Sequence, residues 1–391
     1  MAAQRPRYHP VYAGMATTIF EKMSGLSRDL GAINLGQGFP DDQGPPDLIA
    51  AAARALAERS NQYPPMAGVP ELRDAIADFY ARRQGLSLTR EQVIVTSGAT
   101  EAVAAAILAL VQPGDEVIVF EPAYDAYAPL IRRCGATPVF VRLAPPGWHY
   151  EREAIERVVT PRTRALVFND PLNPTGSIAS DTERAMLAGI CIDHDLVAIC
   201  DEVWEQVRFD GAPHRSLLTT PGMADRSVKI GSAGKIFGVT GWKIGWICAA
   251  PEMAAMIARA HQFLTFTTPP ALQYAVAEAL ADDALIDSRT AAWAASRQRL
   301  NDGLTQSGFA VLPGAATWFT CIDLPGSGLA MDDVTFAERA IHEAGVASIP
   351  VSALFDDGTP SPIVRLCHCK SPDMIDAAVE RLAAFRAANG T

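Results

Sequence analysis

The stretch SAGKIFGVTGWKIGW, residues 232–246, sets a single lysine, Lys235, between a glycine and two apolar residues, with a second lysine, Lys243, eight positions on. A solvated loop carries its lysines among polar neighbours, and this one does not. Burial depresses an amine's pKa and raises its nucleophilicity, so the stretch predicts a reactive amine rather than a surface charge.

Outward from it, residues 93–250 alternate strand-like and helix-like runs, as a parallel α/β sheet requires. The expected strands are VIVT (93–96), EVIVF (116–120), TPVFVRL (137–143), RALVFN (164–169), LVAICD (196–201), SVKIGS (227–232) and IGWICAA (244–250), with helices between them at 100–111 and 181–193 among others. Beyond residue 285, RTAAWAASRQRLNDGLTQSG reads as a long amphipathic helix, followed by short strands and a closing helix, SPDMIDAAVERLAAFRAANG. The first 35 residues have weak periodicity and run into the Gly/Pro-rich NLGQGFPDDQGPPD. The expected organisation is an N-terminal arm (1–35), a large α/β domain (36–284) and a smaller C-terminal domain (285–391) that the arm joins.

With 391 residues, 49% of them hydrophobic, the chain can bury a sizeable core. Its 33 basic against 44 acidic residues give a net charge of −11, which disfavours nucleic acid as a partner. The opening MAAQRPRYHP lacks the apolar core of a secretory signal, and the run AVAAAILALV (102–111) is too short to span a bilayer. Seven cysteines, an odd number without a CxxC pair, fit a reducing cytoplasm. No HExxH or metal-type Cys/His cluster occurs, and no metal is expected. On a strand, the CHC at 367–369 puts Cys367 and Cys369 on one face and His368 on the other, which reads as core packing.

In open α/β sheets ligands sit beyond the carboxyl ends of the strands, so the residues that follow each strand carry the chemistry. After 93–96 come Ser97, Gly98, Ala99 and Thr100 at a helix start, where free N–H groups favour a phosphate. After 116–120 comes EPAYDAY, in which Tyr124 offers a flat face to an aromatic ring. NDPLNPTG (169–176) holds Asn173 extended before a proline. Asp201 ends an apolar strand, where its carboxylate needs a partner such as a protonated ring nitrogen. Ser232 and Lys243 are placed to share a phosphate while Lys235 reaches an electrophilic carbon. Taken singly, each of these is more often a turn, a cap or packing. Together they describe pyridoxal 5′-phosphate.

NLGQGFPD, NQY, GDEVIVFEPAYDAY, NPTG, DEVWE, SAGKIFGVTGWKIGW and IVRLC stand in the order seen in class I/II, fold-type I aminotransferases. The chain resembles most the branch containing kynurenine, glutamine and methionine aminotransferases, from about residue 30 to its C-terminus. That resemblance implies a large domain with a mostly parallel sheet sandwiched by helices, plus a smaller α+β domain. It implies that Lys235 is the Schiff-base lysine, that Asp201 pairs with the pyridine nitrogen, that Asn173 holds the ring hydroxyl and that Tyr124 stacks on the ring. Gly98, Ala99, Thr100, Ser232 and Lys243 would bind phosphate, with Tyr63 arriving from the other subunit of a homodimer. Arg365 would clamp the substrate α-carboxylate with its planar fork, helped by Asn173, Asn169 and the Gly38 backbone. Phe266, in HQFLTF, falls where relatives line the side-chain pocket, or else is a core residue of a helix.

One departure stands out: Trp204 occupies the place of the family tyrosine three residues after the aspartate, and an indole N–H can donate but cannot ionise. Thr100 likewise stands where close relatives often place an aromatic residue. The resemblance implies ping-pong transamination between a neutral, bulky amino acid (methionine, glutamine, aromatic or kynurenine-like) and a 2-oxo acid, with Lys235 as the general base. Two alternatives stay open: a β-eliminating lyase on the same cofactor, and a non-catalytic sensor. Sensors of that kind carry an added DNA-binding segment, for which the residues ahead of the match leave little room.

Overall fold

Seven strands build the main sheet: β1 (Val93–Ser97), β2 (Glu116–Glu121), β3 (Thr137–Arg142), β4 (Thr163–Asn169), β5 (Val197–Asp201), β6 (Ser227–Ser232) and β7 (Ile244–Cys248). All seven lie where the apolar runs place them, with ends shifted by at most two residues. The computed structural model, which describes residues 8–390, orders them β1-β7-β6-β5-β4-β2-β3. Strands β2 to β6 pair in parallel. Strand β7 alone is reversed, antiparallel to both β6 and β1.

The reversal follows from the length of the connection. A parallel crossover needs a dozen or more residues, whereas residues 233–243 form only a short helix, Ala233–Phe237, and a 3₁₀ turn, Thr240–Trp242. The chain therefore returns beside itself, with Ser232 opposite Gly245 and Gly231 opposite Trp246. Lys235 and Lys243 are thus brought to the same end of the sheet.

Both faces of the sheet are covered, which is why its strands read as continuous apolar runs rather than alternating ones. Val117 and Val119 pack with Val103 and Ile107 of α1 (Gly98–Leu110). The intervening Ile118 and Phe120 face Leu187 and Ile190 of α2 (Asp181–Asp193). Helix α2 begins with a capping box, Ser180 with Glu183, and has the span the sequence predicts.

A second, antiparallel sheet contains β8 (Ala310–Val311), β9 (Phe319–Asp323), β10 (Ile349–Pro350) and β11 (Ile363–Cys367) in the order β10-β11-β9-β8. It packs on α3 (Asp283–Gln306) and α4 (Pro372–Asn389) through Leu300, Leu304, Leu366, Leu382 and Phe385. Helix α3 starts earlier than its apolar pattern suggests because Asp282 caps it, accepting from the Leu285 N–H at 2.9 Å. Residues 284 and 285 consequently lie within its first turn. Ahead of the main sheet, Ile33 and Asn34 pair in parallel with Val346 and Ala347, and Met23 packs on Ile341 and Ile349.

Behind the Asp201 end of the sheet lies a fully buried charge cluster. The Lys229 ammonium donates to Glu205 at 2.6 Å and to Glu202; His214 and Ser216 also bond Glu202, at 2.8 and 2.7 Å, and the Tyr80 hydroxyl donates to Glu205 at 2.8 Å. Glu202, Glu205 and His214 are close enough together to resemble a metal-ligand set, but Lys229 already supplies the positive charge. The lysine holds the Glu202 carboxyl well below its ordinary pKa, against the effect of burial. Removing one member of such a buried cluster leaves an uncompensated charge, at a cost of about 3–5 kcal/mol. Lys229→Met is therefore expected to lower urea-unfolding stability by about that amount, and adding Glu202→Gln and Glu205→Gln to restore part of it; equal losses in the single and triple variants would contradict this account.

Candidate active site

The strand ends β1, β4, β5 and β6 open into a cavity of about 400 Å³ whose lining includes Gly98, Ala99, Thr100, Tyr124, Asn169, Asn173, Asp201, Trp204, Ser232, Lys235, Lys243, Gly38 and Arg365. Thirteen of the fifteen site residues read from the sequence thus meet in one place. The end of the cavity beside Lys243 is built by close backbone approach. Gly98 has φ of +71°, and a Cβ there would sit 3.0 Å from the Lys243 side chain; a Cβ on Gly245 would sit 2.6 Å from the Gly98 carbonyl carbon. Only glycine allows β7 to pass so near the start of α1. That helix has no side-chain cap. Glu101 instead accepts from the Ser97 N–H, from His261 Nδ1 at 2.7 Å and from the Thr265 hydroxyl at 2.7 Å. The next N–H groups and the helix dipole are left facing the cavity beside Lys243.

At the opposite end, Asp201 is buried and accepts from the Tyr127 hydroxyl at 2.6 Å. Burial raises its carboxyl pKa, and the Tyr127 bond and the Lys235 charge oppose that shift only in part. A cationic ring nitrogen would complete the compensation. Asn173 accepts from Arg365 Nη1 at 3.2 Å through its Oδ1, which leaves its amide N–H free for a ring oxygen. Asn169 is more committed: it donates to the Asp201 carbonyl at 2.8 Å and accepts from the Asn173 N–H at 2.9 Å. It acts chiefly as a clamp between the NDPLNPTG turn and β5.

Arg365 is buried on β11, its guanidinium 4.0 Å from the Phe319 ring centroid and 5.2 Å from that of Phe20. Nη2 donates to the Gly36 carbonyl at 2.6 Å, and the buried Nε has no partner. Burial lowers its pKa to about 10, so it stays cationic at neutral pH with a donor unspent. Gly38 makes room for this clamp, since a Cβ there would fall 2.7 Å from the Phe319 ring.

The Lys235 amine faces the cavity with its Nζ 4.8 Å from the Trp204 ring centroid and 5.0 Å from that of Trp318. Burial lowers its pKa to about 8, partly offset by Cys369, Cys367 and Asp201. Cys367 and Cys369 do share a face, with sulfurs 3.2 Å apart, while His368 bonds the Thr317 carbonyl on the other side at 3.0 Å.

Two residues lie elsewhere. Tyr63 is 84% exposed, and Phe266 packs edge-on against it at 5.5 Å. Phe266 is neither in this chain's cavity nor in a helix core: the preceding helix ends at Gln262, and Phe266 has φ of +64°. The sequence reading missed Tyr127, although it stands in the same EPAYDAY motif as Tyr124. It also missed Thr18, Phe20 and Gln37, which reach the cavity from a segment without periodicity.

An anion cradle, a flat aromatic wall, a carboxylate at the base and a nucleophilic lysine fit pyridoxal 5′-phosphate, and on a mostly parallel sheet they define a fold-type I enzyme of that cofactor. The family described as aminotransferase class I and II matches residues 31–382. Among curated proteins, a probable N-succinyldiaminopimelate aminotransferase of Mycobacterium tuberculosis is 45% identical, with 94% of this chain and 96% of that one covered. The methionine aminotransferase of Escherichia coli is 38% identical over the same shares. The solved structure of the N-succinyldiaminopimelate aminotransferase from M. tuberculosis superposes with a TM-score of 0.92 at 44% identity, covering 97% of this chain and all of that one. The chain belongs to the class I and II aminotransferases, and it is a pyridoxal-phosphate-dependent enzyme of that family.

Two measurements on the cofactor-free protein test the lysine. The rate of pyridoxal phosphate capture should rise with pH through an inflection near 8, because only the neutral amine attacks; a profile still rising steeply above pH 10 would mean that Lys235 is an ordinary lysine. Trp204→Leu removes a ring that stabilises the ammonium form, so the inflection should fall by about half to one unit.

Proposed function

We propose that the enzyme transaminates a neutral, bulky L-amino acid, of the methionine, glutamine, aromatic or kynurenine type, with a 2-oxo acid in ping-pong fashion. The observation that carries this reading is that Arg365 is the only arginine lining the cavity among the described residues. One arginine matches the one α-carboxylate that every donor has, and leaves none for a side-chain carboxylate. The methionine aminotransferase similarity supports it. A second reading, an N-acylated diamino dicarboxylate, rests on the higher identity to the N-succinyldiaminopimelate relative.

When bound, the cofactor supplies an aldehyde carbon for amine exchange and a ring that accepts electrons. Gly98, Ala99, Thr100, Ser232 and Lys243 would hold its phosphate, Tyr124 would cover its ring, Asn173 would hold its hydroxyl and Asp201 would keep its nitrogen protonated. Arg365 fixes the donor carboxylate through the free Nε side of its fork and thereby orients Cα toward Lys235. Lys235 would take the donor's Cα proton as a free base, a role suited to a pKa of about 8.

The same reading makes the chain a cytoplasmic homodimer of an arm, a large domain to residue 284 and a small domain from 285. Tyr63 and Phe263, each 84% exposed, together with Leu264 and Phe266, offer apolar surface for a second copy to cover. From there Tyr63 would reach the partner's phosphate site.

A panel of amino donors against several 2-oxo acids, with product analysis, tests the proposal. Methionine, glutamine or phenylalanine should give acceptor-dependent oxo-acid exchange, and Arg365→Gln should lower kcat/KM on the order of a hundredfold or more. Pyruvate and ammonia released without an acceptor would point to the lyase instead, and exchange confined to N-succinyldiaminopimelate to the second reading.

A further inference from the structure

Glu101 has no part in the steps above, and its place is an awkward one for an acid. It follows Thr100 directly, so a buried carboxylate stands one residue beyond the N–H groups that would hold an anion. Acidic side chains are common in the first turn of a helix, where the dipole favours them. Behind a phosphate, however, a bare negative charge would work against binding.

The hydrogen bonds around Glu101 resolve that conflict. Its Oε2 accepts from the Ser97 N–H, and its Oε1 accepts from the Thr265 hydroxyl and from His261 Nδ1, each at 2.7 Å. With both oxygens accepting, the group is a carboxylate. His261, fully buried at the end of the helix Pro251–Gln262, turns its other ring nitrogen, Nε2, to the Met66 carbonyl at 3.0 Å. A carboxylate and a carbonyl can only accept, so the ring must donate from both nitrogens, and only imidazolium does that. The ordinary pKa values move in the directions this requires. Against burial, the His261, Thr265 and Ser97 bonds hold the Glu101 carboxyl low; again against burial, the Glu101 bond holds the His261 imidazole high.

We propose that Glu101 and His261 are a positioning pair for the cofactor phosphate. The carboxylate fixes the first turn of α1 through Ser97, and the imidazolium cancels its charge, so that the N–H groups of Gly98, Ala99 and Thr100 meet a phosphate with no net anion behind them. Neither side chain lines the cavity, and both act through the backbone in front of them. This rests on the assignment of that end of the cavity to the phosphate and names what keeps it receptive to a dianion. Without the His261 charge, Glu101 would be a stranded anion in a desolvated place, and the penalty would fall on the phosphate alone.

The test uses the full-length chain loaded with pyridoxal 5′-phosphate or with pyridoxal, the same aldehyde without a phosphate, each affinity being read from the absorbance change on binding. His261→Asn and His261→Gln replace the cation by a neutral amide. In either variant the preference for pyridoxal phosphate over pyridoxal should fall about tenfold or more, with the pyridoxal affinity near its original value. Adding Glu101→Gln removes the stranded anion and should restore part of that preference. A preference unchanged in both His261 variants, or a double variant that loses more than the single one, would overturn the pair's role, since damage to packing accumulates and charge compensation does not. If the original chain binds both aldehydes equally, the phosphate assignment falls and the pair's role with it; if one His261 variant does not fold, the other carries the comparison.

Discussion

An amine withdrawn from water at the end of a parallel sheet is the constraint around which the active site is organised. Desolvation favours the neutral form of Lys235 and makes it both nucleophile and base near neutral pH. The neighbours limit how far that goes. Two indole faces and the Asp201 charge still stabilise the ammonium, so the group titrates close to neutrality instead of being permanently discharged. Asp201 shows the converse: burial raises its carboxyl pKa, and the Tyr127 hydroxyl and the Lys235 charge act against that shift.

Much of this was legible in the sequence because the chemistry sits immediately after apolar runs. The carboxyl ends of β1, β4, β5 and β6 carry Gly98, Asn169, Asp201 and Ser232, and a parallel sheet gathers such ends on one side whatever the loops do. Arg365 was legible for a related reason, as a lone charge in the apolar run IVRLC. The reversed direction of β7 was not, because strand direction leaves no mark on an apolar run that is buried on both faces. It shows only in the pairing of β7 with β6 and β1.

Other features were hidden by their location. Thr18, Phe20 and Gln37 reach the cavity from the arm, and their position depends on Ile33 and Asn34 pairing with Val346 and Ala347, more than three hundred residues away in sequence. No local pattern encodes a two-residue parallel pairing. Phe266 lies outside this chain's cavity for a different reason: HQFLTF continues the apolar character of the preceding helix, but the chain leaves the helix at Gln262 and crosses into positive φ. Asn169 lines the cavity, and its two hydrogen bonds also make it a brace between two backbones.

The antiparallel return between Ser232 and Ile244 acts as a ruler. Lys235 lies near its beginning and Lys243 at its close, in a left-handed backbone conformation with φ of +54°, and the register of Ser232 with Gly245 fixes how far apart the two nitrogens can be. Most surface loops absorb an added or lost residue at small energetic expense. This one cannot, because a change of a single residue would rotate β7 by one side chain, bring a Cβ against Gly98 and carry the Lys243 ammonium away from the Lys235 amine with which it shares the cavity. Divergence among sequences sharing this architecture should therefore run through substitution within the segment and never through its length.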